Sequence, residues 1–159
     1  MRLVEGNLEL RPWQGGDLAA VAEAASDPYV KEIEHIDEAS AWLQRAQEGS
    51  DLAISVDRDV VGGIGIGSWQ PRRGSLGYFV LERARGRGIA TRAATLLVRW
   101  VLTDGEYMPV QATVEPWNVA SIRVLERAGL QREGLLRSHV IYGDRVGDAC
   151  MSAAVRGDF

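Results

Sequence analysis

The chain is short of cysteine, of lysine and of long apolar runs, and each shortage closes off a class of protein. Cys150 is the one cysteine among 159 residues, so an internal disulfide is excluded. Its apolar surroundings read as those of a small buried hydrophobe rather than a nucleophile. No stretch approaches the roughly 20 apolar residues of a membrane span. Met1 to Arg11 mixes Glu5, Asn7 and Glu9 among its apolar residues, which argues against a secretory leader, and a cytoplasmic protein without membrane contact is expected. Internal repeats, low-complexity tracts and linkers are missing as well. What is present, 46% hydrophobic and 25% charged residues, is the balance of one soluble domain spanning residues 1–159.

Charge is unevenly spread. The net charge is −4, yet residues 1–60 carry 13 acids against 5 bases and residues 61–159 carry 9 acids against 13 bases. One part of the surface therefore suits a cation and another an anion. Lys31 stands alone beside 17 arginines.

Leu8 to Pro12 reads as a short strand, and Asp17 to Ala25 as a helix with Leu18, Val21 and Ala25 on one face. A loop is expected at Ser26 to Ile36, after which Asp37 caps a second helix running to about Gln47. Leu52 to Val56, Val60 to Trp69 and Ser75 to Leu81 form a three-strand antiparallel meander. The clearest helix follows Gly88, where Ile89, Ala93, Leu96, Leu97, Trp100 and Val101 make an apolar stripe opposite Arg92, Thr95 and Arg99. A strand at Val110 to Val114, a helix at Asn118 to Ala128 stopped by Gly129, and two strands flanking Gly143-Asp144-Arg145 complete the chain. The long helix makes the strand before Gly86 and the strand Val110 to Val114 parallel neighbours with a right-handed crossover. Ligands favour the carboxyl ends of such strands.

The segment Arg83-Ala84-Arg85-Gly86-Arg87-Gly88 lies between a strand and that helix, so its amides sit where unpaired helix N–H groups meet an anion. Gly86 and Gly88 permit unusual dihedrals and close approach, and the three arginines add charge. A diphosphate is the natural ligand. No Gly-Lys-Ser/Thr follows, which argues against a nucleotide-hydrolysing phosphate loop. The run Gly63-Ile64-Gly65-Ile66-Gly67 lacks dinucleotide spacing and reads as a strand whose glycines give room for packing or a bulge. A net acidic chain without aromatic interleaving makes nucleic acid a poor partner.

Arg83, Gly86 and Gly88 match the signature of the GNAT superfamily of N-acetyltransferases: Arg or Gln, two residues, Gly, one residue, then Gly or Ala. Asn118 to Leu130, with Ser121, Val124, Leu125, Ala128 and Gly129, followed by Glu133-Gly134, is similar to the branch of ribosomal-protein alanine N-acetyltransferases. Leu10-Arg11-Pro12, Asp17, Ser26-Asp27-Pro28, Gly143 and Asp148 are similar to that branch too. The resemblance implies an α/β (α+β) fold: a mixed, mostly antiparallel sheet of about seven strands with a splayed parallel pair, flanked by about four helices. It implies acetyl-CoA as co-substrate and no metal. The diphosphate would lie on Arg83, Arg85, Gly86, Arg87 and Gly88 and on the first helical turn at Ala90 and Thr91. Pantetheine would pair with backbone groups of Phe79 and Val80 as an added strand does, with Asn118 on the same arm; Asn118 reads equally well as a plain helix N-cap.

Amide formation needs a neutral amine, a polarised thioester carbonyl and a proton for the departing thiolate. An α-amine titrates near ~8 and a lysine amine near ~10.4, so the latter needs more help from a base. Many family members carry a tyrosine seven residues after the asparagine, where this chain has Leu125, so the resemblance passes the proton-donor role to Ser121, which it also places against the cofactor's sulfur; as a plain helix serine it reads equally well as bonding backbone. Glu115, directly after the strand Val110 to Val114, is the first candidate for general base, with His35 or water as the alternative; it reads equally well as a surface carboxylate beside the Pro116 turn. Glu32, Glu34 and His35 line the segment that receives the acceptor in the family, and suit a cationic amine. His139 reads as structural. The acceptor is a peptide N-terminus, a lysine or a small amine; a silent acyl-CoA sensor and an acyltransferase using another acyl-CoA stay open, as do monomer and homodimer.

Overall fold

The structure, a computed structural model, describes residues 1–105 and 109–159, apart from the side chains of residues 32, 33 and 69. The strands are β1 (Leu3–Glu5), β2 (Leu8–Pro12), β3 (Leu52–Val56), β4 (Asp59–Gln70), β5 (Arg73–Val80), β6 (Val110–Val114), β7 (Gln131–Tyr142) and β8 (Arg145–Ala154). The α-helices are α1 (Leu18–Ala25), α2 (Pro28–Glu34), α3 (Ala39–Glu48), α4 (Ile89–Thr103) and α5 (Val119–Arg127). Strands hydrogen-bond in the order β1-β2-β3-β4-β5-β6-β8-β7. The β5/β6 pair is parallel, with Gly74 opposite Val110 and Ser75 opposite Gln111, as the crossover through α4 requires.

Two elements and one cap differ from the sequence expectation; the cap is that of α3, where Glu38 and not Asp37 accepts from the Ser40 and Ala41 N–H groups. An eighth strand, β1, folds back on β2 because Gly6 takes a φ of 59° and makes the turn. The expected loop at Ser26 to Ile36 contains α2. Its start follows the usual chemistry: Asp27 accepts from the Tyr29 and Val30 N–H groups, and Pro28 occupies the first turn. Its end is His35 in a left-handed conformation, φ 53°. Seven residues are too few to show a 3.6-residue repeat, which is why the sequence pattern passes over it.

The chain divides into two compact units, Met1–Ile66 with Gly77–Ala93, and Gly67–Leu76 with Ala94–Phe159. In the first, α1, α2 and α3 bury Val21, Val30, Ile36 and Leu43 around an aromatic trio. Trp13 meets Trp42 edge-on at 5.3 Å and stacks with Phe79 at 6.4 Å. Gly63 makes this possible, since a Cβ there would stand 2.6 Å from the Phe79 ring. At the neighbouring Gly62, outside the run singled out in the sequence, a Cβ would overlap the Phe79 carbonyl oxygen.

The same unit holds a largely buried ion pair, in which Arg11 donates to both Asp17 oxygens at 2.8 and 2.9 Å. Burial alone would raise the Asp17 carboxyl, but Arg11 and the Gln14 N–H more than offset it and hold it below its ordinary range. Its contribution is present at neutral pH and is lost as pH falls through the carboxylate range. Asp17→Ala, which leaves Arg11 buried without its partner, is expected to cost about 3 kcal/mol in urea unfolding at pH 7. A loss no larger than that of a surface substitution would show the pair to be dispensable.

In the second unit Leu97, Val101 and Leu102 of α4 are buried. So are Val110 and Ala112 of β6, Leu125 of α5, and Ala149, Cys150 and Ala153 of β8. Strand β6 pairs antiparallel with β8 from Val110/Ala154 to Val114/Cys150. Gly129, φ 92°, ends the α5 segment against the Phe159 ring.

Candidate active site

Between β5 and α4 the chain makes a short 3-10 turn at Glu82–Ala84, then runs through extended Arg85 to Gly86 and Gly88, whose φ values are 76° and 73°. A Cβ at either glycine would meet nothing within 4 Å, so glycine is required here by backbone conformation and not by crowding. Positive-φ residues alternating with an ordinary one turn successive N–H groups toward one side, the arrangement of an anion nest. The first helical bond runs from the Arg92 N–H to the Gly88 carbonyl. Ile89 and Ala90 therefore present N–H groups beyond the start of α4, where the helix dipole favours negative charge. Thr91 completes that turn.

The loop arginines divide the work. Arg83 donates through Nε to Glu23 at 3.0 Å, through Nη1 to Asp59 at 2.5 Å, and through Nη2 to the Val60 carbonyl at 3.0 Å. Arg85 donates to the Val80 carbonyl at 3.0 Å and to Asp27 at 2.6 Å, with its guanidinium over the Tyr29 ring. Both side chains tie the loop to the first unit. Arg87 is exposed and, among the described residues, is the one loop arginine with no hydrogen-bond or ion-pair partner. At the end of β5, the Phe79 ring is locked in the aromatic trio and its backbone lies beside Gly62, while the Val80 carbonyl already receives Arg85.

Glu34, the last residue of α2, has its carboxyl pushed up to about 7, first by burial and second by the negative charge of Asp51. Burial raises the Asp51 carboxyl as well. Asp51 precedes β3 and lies against the backbone of Gly65, where any Cβ would overlap its carboxylate. The Cβ position of Gly62 is 3.1 Å from the Val80 Cα. Gly65 lies three residues further along β4, so at about 3.4 Å per residue the acid pair sits roughly 10 Å along the sheet from the end of β5. His35 is exposed at the helix end. The Glu32 side chain lies outside the described residues.

Glu115, Asn118 and Ser121 belong to the second unit. Arg145 donates to Glu115 at 2.7 Å and the Trp117 indole N–H at 2.9 Å. The Arg145 bond, against the effect of burial and with help from Trp117, holds this carboxyl below its ordinary range. It is therefore a weaker proton acceptor than Glu34. Asn118 caps α5 by accepting from the Ser121 N–H at 3.3 Å, which fixes the first turn on which half-buried Ser121 stands. Leu125 is buried, with 1% of its surface exposed, and serves the core.

Two features, one in each unit, escape a reading of the sequence. The partnership of Asp51 with Glu34 joins residues 17 positions apart, and its one trace in the sequence is Gly65, whose missing Cβ leaves room for the Asp51 carboxylate. His139 lines a cavity of 370 Å³ in the second unit together with Gln111, Thr113 and Met151. The described residues contain no cluster able to hold a metal ion, and no helix among them is long and apolar enough to cross a membrane.

A mixed sheet with one parallel pair, opening into an anion-shaped turn at the head of a long helix, defines a class of group-transfer protein. Residues 7–131 match the family described as acetyltransferase (GNAT) domain, and the chain belongs to that family, among N-acetyltransferases. It is 25% identical to the SPbeta prophage-derived uncharacterized N-acetyltransferase YokL of Bacillus subtilis, over 96% of this chain and 92% of that one. The structure of Mycobacterium smegmatis RimJ in complex with a CoA disulfide superposes with a TM-score of 0.78 at 26% identity, covering 93% of this chain and 81% of that one. The fold is also that of RimL, a ribosomal L7/L12 alpha-N-protein acetyltransferase, with a TM-score of 0.84 over 98% of both chains at 17% identity.

Proposed function

We propose that this chain transfers the acetyl group of acetyl-CoA directly to a primary amine, with both substrates held in one ternary complex. The observation that carries the reading is the turn at Gly86 and Gly88, whose positive φ values aim backbone N–H groups at the mouth of α4. A diphosphate fits that nest, with Arg87 supplying side-chain charge; Arg83 and Arg85 hold the loop in shape. The backbone of Phe79 and Val80 would meet the pantetheine amides.

Acetyl-CoA supplies the acetyl group as a thioester. The amine nitrogen bonds to its carbonyl carbon, the C–S bond breaks, one proton leaves the amine and one joins the thiolate. Glu34 is the better candidate to take the amine proton, through water, because its carboxyl titrates near neutrality, whereas Arg145 keeps Glu115 a poor base. Ser121 is proposed as the donor to the thiolate. The likeness to RimL, an alpha-N-protein acetyltransferase, supports a peptide N-terminus as the acceptor to try first, ahead of lysine and small amines.

The test is thiol release from acetyl-CoA across a panel of peptides, lysine derivatives and small amines. Turnover of at least one amine is expected. Ser121→Ala should lower kcat roughly 10²-fold or more while leaving acetyl-CoA affinity in calorimetry unchanged; equal kcat removes Ser121 from the reaction. Stabilisation by acetyl-CoA without thiol release for any amine would point to a silent acyl-CoA sensor.

A further inference from the structure

The 370 Å³ cavity of the second unit is lined by Gly67, Ser68, Ser75, Gln111, Ala112, Thr113, His139 and Met151. Strand register explains the set. Gln111 and Thr113 share one face of β6, a face that continues to Glu115 just past the strand. Ser75 lies opposite Gln111 on the parallel neighbour, and Met151 lies opposite Thr113 on β8.

His139 arrives by a different device. The β7/β8 register passes from Leu136/Ala149 to Val140/Gly147, leaving residues 137, 138 and 139 against Asp148 alone. Such a bulge bends its strand and re-aims a side chain. Ser138 takes a φ of 51°, which non-glycine residues adopt only when the surroundings hold them there. The restraint is visible: the Ser138 N–H donates to Asp148 Oδ1 at 2.9 Å. A strained bulge pinned by a carboxylate brings the imidazole to the cavity wall.

The lining decides what fits. Among the described residues that line the cavity, the polar side chains are two serines, a threonine, a glutamine and an imidazole, with no carboxylate or guanidinium. Ser68 donates its hydroxyl to the Gln70 carbonyl at 2.8 Å and keeps lone pairs for accepting. Gln111 offers both a donor and an acceptor, the complement of a peptide group. A polyamine would find no counter-charge among these described side chains. Hydroxyls of an amino sugar share the hydrogen-bonding chemistry, but Met151 adds an apolar wall that a side chain covers and a sugar does not.

We propose that this cavity receives the uncharged body of a peptide acceptor, the peptide group and side chain next to its amine, with Gln111 and His139 setting specificity and Asp148 positioning His139. The inference rests on the acetyltransferase reading and names its substrate class.

Three acceptors test it: a tripeptide amide of alanine and serine with a free α-amine, glucosamine and spermidine. His139→Ala and Gln111→Ala should each raise KM for the tripeptide roughly tenfold, the loss of about one hydrogen bond, while KM for acetyl-CoA and thermal melting stay unchanged. Asp148→Ala should reproduce the His139→Ala defect although the imidazole is still present. An unaltered tripeptide KM overturns the inference and leaves the enzyme reading intact; sensitivity confined to glucosamine, or best turnover of spermidine, overturns the peptide assignment. If the wild type turns over none of the three, the tripeptide is titrated into 13C-labelled protein with coenzyme A present. Shifts of the His139 and Met151 signals then uphold the subsite while the catalytic reading fails, and unmoved signals overturn the subsite.

Discussion

Glu34→Gln is expected to make the protein more stable and nearly inactive at pH 8. The folded chain holds the Glu34 proton up to about 7, against an ordinary value of 4.5. Between those two pH values the native state binds more protons than the unfolded chain, so stability falls as pH rises through that window. Full ionisation forfeits about 3 kcal/mol at 1.36 kcal/mol per pH unit, and an amide, which carries no charge at any pH, keeps it. The variant should therefore exceed the wild type by about that amount in denaturant unfolding at pH 8, with the gap closing toward pH 4. Activity should move the other way. The acid limb of kcat/KM, with a midpoint near 7 in the wild type, should vanish with turnover reduced roughly 10²-fold or more. Asp51→Asn should lower that midpoint by removing the second cause of the shift. A limb that survives Glu34→Gln unchanged would return the base to His35 or Glu115.

What the sequence reveals and what it hides follow from the range of the interactions involved. Helix α4 and the turn before it are local: an apolar stripe of period 3.6 begins directly after two glycines, and no distant contact is needed to read them. Strand β6 is bounded as expected for the same reason. The roles of the arginines are not local. Arg83 and Arg85 stand beside Arg87 in the sequence, but Glu23 and Asp59 take the first and Asp27 the second, acids contributed by α1, the start of β4 and the cap of α2. Three equal candidates for an anion thus become two struts and one exposed cation. The base is hidden in the same way. Glu115 holds the expected position at the end of β6, but Arg145, 30 residues on, neutralises it, while Glu34 becomes basic only through burial and a neighbour in another element. His139 reads as an ordinary strand residue until the register of β7 against β8 exposes the bulge.

The glycines draw the same distinction. Gly62, Gly63 and Gly65 are required by space, because a Cβ would strike Phe79 or Asp51; Gly86 and Gly88 are required by dihedral angle in open surroundings. Substitution at the second pair therefore tests the anion site without disturbing the core. In Gly86→Ala the new methyl group meets no atom within 4 Å, and the cost is that of a left-handed residue, about 1–2 kcal/mol. Acetyl-CoA affinity should fall roughly tenfold by the usual conversion. Gly86→Glu incurs the same backbone cost and sets a carboxylate beside the nest. At an effective dielectric near 20, each like charge within about 4–6 Å adds roughly 3–4 kcal/mol, which takes binding out of calorimetric reach. The two variants should also differ in their response to salt: a Debye length of about 10 Å at 0.1 M shrinks to about 3 Å at 1 M, so high salt should recover part of the Glu variant's loss and none of the Ala variant's. Equal affinities for wild type, Ala and Glu variants would show that the diphosphate does not rest on this turn, and would remove the ground on which the acetyl-CoA reading stands.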